Sequence, residues 1–105
     1  MRELIIPPAA ASDPDSIEII RAWIADGSQW ISLFPNLYKD EEIEEESAWG
    51  FVLADTMRHL ANAIAQDSES KRPDDVLDRI RRALEQELDE PTSSVRGGYV
   101  KYGAA

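Results

Sequence analysis

The sequence predicts a small α+β domain in which about three helices pack against a short two- or three-stranded sheet. Two runs, 48–66 and 73–90, carry apolar residues at helical spacing, and a third, "QWISLF" at 29–34, is rich in β-favouring residues. At 105 residues, 43% hydrophobic and 30% charged, the chain is globular in composition and just long enough for one modest core. Residues 1–92 read as that single domain, and 93–105 as a flexible C-terminal tail, because "SVRGGYVKYGAA" is rich in small and turn residues.

The opening "RELII", residues 2–6, reads as a short strand ended by Pro7 and Pro8, since proline cannot donate to a strand ladder. Next, Asp13 as cap, Pro14 at the first helical position, Asp15 in the first turn and Gly27 past the end predict a helix over 14–26. Ile17, Ile20 and Ile24 recur at helical spacing along it, and Ile19 and Trp23 widen the stripe. The strand at 29–34 follows, with Trp30, Ser32 and Phe34 alternating with Gln29, Ile31 and Leu33. Strand, helix, strand allows a parallel crossover, while an antiparallel arrangement stays open. Two strands make a weak sheet, so either "GYVKY" at 98–102 adds a third or a second copy of the chain completes it.

After the loop 35–40 comes "DEEIEEE", residues 40–46, which reads as an acidic first helical turn capped by Asp40. From Ala48 to Gln66, the residues Trp49, Val52, Leu53, Met57, Leu60 and Ile64 recur at steps of three and four, which predicts the central helix. Gly50 inside it marks either a close backbone approach or the true helix start. A polar linker leads to Pro73, which opens a third helix with Val76, Leu77, Ile80, Ala83, Leu84 and Leu88 on its core side and Pro91 at its end. Asp75 with Arg79 and Asp78 with Arg82 stand four apart, acid before base, the stabilising order. Trp23, Trp30 and Trp49 come from three elements and are expected to meet in or beside one core.

Charge and composition narrow the function. A net charge of −10 argues against partners that must be held by neutralising phosphates, both nucleic acid and acidic membrane. There is no cysteine, so thiol chemistry, disulfides and thiolate-bound zinc are excluded. The N-terminus lacks the apolar core of a signal peptide and the length of a membrane span, which points to the cytoplasm.

On the central helix, Asp55, Arg58, His59 and Asn62 share one face, opposite Trp49, Leu53 and Leu60, and Phe51 lies on the side of Arg58 and Asn62. An aromatic on a polar face calls for a cover, so Phe51, Arg58, His59 and Asn62 are the candidate contact residues of a non-enzymatic interaction or accessory module, with a protein partner or a second copy. The rival is a small-molecule-binding or hydrolytic site in which His59 acts as base, Asp55 orients it and Arg58 holds an anion. A single histidine in the chain gives too few ligands for a metal site, and no cofactor-binding pattern appears.

"RELIIPPAA", "WIADG", "QWISLFP", "AWGFVLAD", "RHLANA" and "DEPT" occur in this order over residues 2–92. In this the chain resembles a family of small uncharacterised bacterial proteins known as a domain of unknown function. The resemblance implies a compact mixed domain and, since the family has no established activity, no catalytic residue.

Overall fold

The computed structural model describes residues 1–99, with three helices and a three-stranded mixed sheet, the α+β class read from the sequence. Two compact units can be distinguished, one built from 1–35 with the segment from Val95, the other from Asn36–Ser94.

The first unit departs most from expectation. Residues 2–6 form no strand, and Pro8–Ser12 form a short helix, α1, with proline at its first turn, where a missing N–H costs nothing. The helix expected over 14–26 is absent. Asp13 caps a turn instead, its Oδ1 accepting the Asp15 N–H at 2.9 Å, and the chain then enters strand β1, Ile20–Ala25. β1 turns through Asp26 and Gly27 into β2, Ser28–Leu33, and the two pair antiparallel with Ala25 opposite Ser28. The physical reason lies in the turn. Asp26 and Gly27 both take positive φ, 52° and 69°, the mirror-image turn whose twist matches that of paired strands, and Asp-Gly is a favoured sequence for it. Isoleucine and tryptophan suit a pleated surface as well as a helical stripe, so the turn chemistry decides.

The hairpin brings Trp23 opposite Trp30, whose indole Nε1 donates to the Ala25 carbonyl at 2.9 Å. Gly97–Tyr99, inside the stretch read as a tail, form β3, parallel to β2 and opposite Ile31–Leu33. Its first residue must be glycine: φ is 122°, and an added Cβ would stand 1.9 Å from the Ile31 carbonyl oxygen. The rest of the expected tail and of the "GYVKY" strand lies outside the described residues.

The second unit matches the sequence reading closely. Helix α2 spans Glu45–Gln66 and α3 spans Pro73–Asp89, packed against each other as a hairpin. Asp40 is not the α2 cap; the helix begins after Glu44, and residues 40–43 belong to the preceding turn and bend. Glu45 does the anchoring, its carboxylate accepting the backbone N–H groups of Asn36 at 2.7 Å and Tyr38 at 2.8 Å, and the Trp49 indole at 2.8 Å. Trp49 therefore belongs to this local network. Gly50 lies well inside the helix, and a Cβ there would meet open space. α3 begins at Pro73, and the Asp78–Arg82 ion pair forms as the spacing predicts.

The helix–helix core is thin. Ala61, Ala65 and Val76 are buried together, with Leu77 and Ile80 partly covered beside them. Small alanines let the two backbones approach, which leaves the larger apolar residues of α2 elsewhere on its surface. No helix among the described residues is long and apolar enough to cross a membrane.

Candidate functional site

Helix α2 carries all of the candidate residues, and at about 100° per residue it sets them on one side. Phe51, Arg58 and Asn62 fall within a narrow sector, flanked by Asp55 and His59. The structure brings the five together as one helix surface, and each of them is exposed. Phe51 is 62% exposed, high for an aromatic ring.

The polar members do not assemble as a catalytic pair. Arg58 Nη1 lies 3.8 Å from Asp55 Oδ1, with the side chains 67% and 82% exposed. Asp55 thus turns toward arginine rather than toward His59, and an ion pair this open is heavily screened by water. His59 stands on the convex helix surface, so the geometry offers hydrogen bonds and charge to a docking surface more readily than an enclosed site for a reaction. Among the described residues no cluster of three or more histidine, aspartate or glutamate side chains is placed to hold a metal ion.

Grooves occur elsewhere. One of about 570 Å³ lies wholly within residues 2–23, between the extended N-terminal segment and β1, with Leu4, Ile6, Ile17, Ile20 and Trp23 among its lining. Its polar feature is Arg21, which donates from Nε to Glu18 at 2.8 Å and from Nη1 to Glu3 at 3.0 Å, and lies 5.9 Å from the Trp23 ring centroid. The Glu18 hydrogen bond and charge, with Glu3 adding to them, hold this guanidinium above its ordinary range. The guanidinium is thus met by two carboxylates within the unit, and the groove is an apolar one with a charged rim.

The sequence reading did not reach this groove, because it placed residues 14–26 in a helix. The signal that would have revealed it is the Asp26-Gly27 dipeptide between two β-favouring runs. It also missed Glu45, whose place at the head of α2 was hidden inside a monotonous acidic run.

Comparison with known proteins bears on the whole chain rather than on these residues. No curated protein matches. A solved structure named "putative pyruvate dehydrogenase", from the photosynthetic bacterium Rhodopseudomonas palustrus CGA009, is similar at a TM-score of 0.67 and 32% identity, covering 90% of each chain. Residues 3–92 match the family described as Domain of unknown function (DUF5076). The match spans both helices of the hairpin, the β1–β2 turn and most of the chain, and the protein belongs to that family.

Proposed function

We propose that the chain is a small cytoplasmic, non-enzymatic interaction module whose contact element is α2, with Phe51, Arg58, His59 and Asn62 meeting a protein partner. The observation that carries this reading is Phe51, 62% exposed amid polar residues on a regular helix. An exposed aromatic ringed by hydrogen-bonding side chains is the composition of a contact hot spot, where the ring supplies area and the arginine and amide supply direction. Arg58 contributes a planar donor fork suited to a carboxylate on the partner.

The dehydrogenase name belongs to the Rhodopseudomonas protein, and no side chain described above favours carrying that activity to this one. The hydrolytic alternative, with His59 as base, is weakened by the turn of Asp55 toward Arg58.

The test is co-purification of the full chain from its native cytoplasm, followed by titration of the purified partner. Wild type should retain a stoichiometric partner, and Phe51→Ala with Arg58→Ala should weaken the titrated affinity at least tenfold while leaving helicity unchanged. Equal affinity of the variant and the wild type would remove this face from the contact.

A further inference from the structure

The other face of α2 carries a second, independent pattern. Gly50, Leu53, Met57, Leu60 and Ile64 succeed one another at alternating steps of three and four, the a and d positions of a heptad seam. The α2 residues buried in the cluster with α3 are Ala61 and Ala65, which lie to one side of the seam. Leu53 is 47% exposed, Leu60 48% and Ile64 39%, while Met57 is half-buried. We infer that this seam pairs with the same seam of a second copy, in antiparallel orientation, joining two α2–α3 hairpins into a four-helix bundle.

Four observations select a second copy as the occupant. First, the seam is self-complementary: in an antiparallel pair each a position meets a d position, which sets Leu53 opposite the partner's Ile64 and Met57 opposite the partner's Leu60. The same register satisfies both contacts and their symmetry equivalents at once.

Second, from Ser47 to Gln66 the seam and its flanks carry no charge, Glu46 standing just before them. Trp49, Ala54, Thr56, Ala61 and Ala63 border it, whereas Asp55, Arg58 and His59, the charged and titratable side chains between Ser47 and Gln66, lie toward the opposite side. A chain of net charge −10 meets its own copy most readily along such a strip.

Third, the unit that holds α2 and α3 buries little by itself. The buried apolar residues among those described are Ala48, Ala61, Ala65 and Val76, all of this unit, and none is a leucine, isoleucine or aromatic. Interfaces between obligate partners resemble a domain core cut in half, and α2 presents such a half. In the register that sets 53 opposite 64, the two copies of α2 overlap over residues 51–66, about 24 Å of each helix.

Fourth, Gly50 occupies an a position whose missing side chain faces open space. A glycine in a helix interior costs stability, and here it leaves room at the end of the seam where the partner's α2 terminates.

This pairing uses the face of α2 turned away from Phe51 and Arg58, so it stands or falls separately from the partner contact proposed above. Because the chain has no native cysteine, single-cysteine variants report the register directly. Leu53→Cys and Ile64→Cys are to be expressed separately and together, oxidised mildly and run without reductant. The inference expects a covalent dimer of twice 11.8 kDa from the co-expressed pair and essentially none from either variant alone, because two copies of position 53 lie about 16 Å apart along an antiparallel seam. Cross-linking of Leu53→Cys with itself would show a parallel pair and overturn the proposal. So would absence of any cross-link while circular dichroism shows wild-type helicity, whether the chains are then monomers or dimers joined by another surface.

Discussion

At Gly27 a single backbone angle decides the topology of the first unit. With φ at 69° and open space where a Cβ would go, Gly27→Ala is penalised by conformation alone, at about 1 kcal/mol. Thermal unfolding should shift down by a few degrees, whereas Gly27→Asn, which tolerates this region, should shift less. Glu87 offers a residue-scale test in pH. Its carboxylate accepts the Thr92 backbone N–H at 2.7 Å and the Thr92 hydroxyl at 2.9 Å, closing the turn after α3. Those bonds, the backbone one first, hold the Glu87 carboxyl below its ordinary range. A lowered folded value means that the contribution is complete above the ordinary glutamate range and is lost as pH falls through the lowered one. The Thr92 amide resonance should therefore move only at pH below the usual carboxylate midpoint, and Glu87→Gln should abolish that movement.

Among the elements, the two long helices were legible because their patterns are long. α3 begins at the proline that announces it, and α2 ends at Gln66 as its spacing requires. β1 was not legible in the same way. In six residues of isoleucine, alanine, arginine and tryptophan, periods of two and of three to four fit almost equally well, and the upstream Asp-Pro looked like a helix cap while serving a turn. The candidate face was legible to the extent that helix geometry dictates it: Phe51, Arg58 and Asn62 do share a surface. What spacing could not convey was that Asp55 pairs with Arg58, or that one glutamate of the acidic run organises the start of the helix. The latter has a direct consequence. Glu45→Ala removes a charged acceptor from Asn36, Tyr38 and Trp49, which should cost about 1–3 kcal/mol. The Trp49 indole N–H resonance should move toward its solvent-exposed position, and amide exchange at 36 and 38 should quicken, with α3 unaffected.

For the whole molecule, composition speaks to how much apolar surface must be hidden, and the helix hairpin hides little of its own share. The sequence is 43% hydrophobic, yet the buried apolar residues among those described are three alanines and a valine, all in the α2–α3 unit. α2 thus exposes two sides, an aromatic-polar one that we propose meets a protein partner and an apolar one that we infer meets its own copy. The net charge of −10 works against association everywhere except along the uncharged strip, so self-association should strengthen as salt is raised and long-range repulsion is screened. Sedimentation equilibrium of the full chain over a dilution series, with Leu53→Glu/Leu60→Glu beside it, reads this directly. Wild type should give twice 11.8 kDa at high concentration and the variant 11.8 kDa throughout; a wild-type mass of 11.8 kDa at every concentration and salt would contradict the pairing of α2 with its copy.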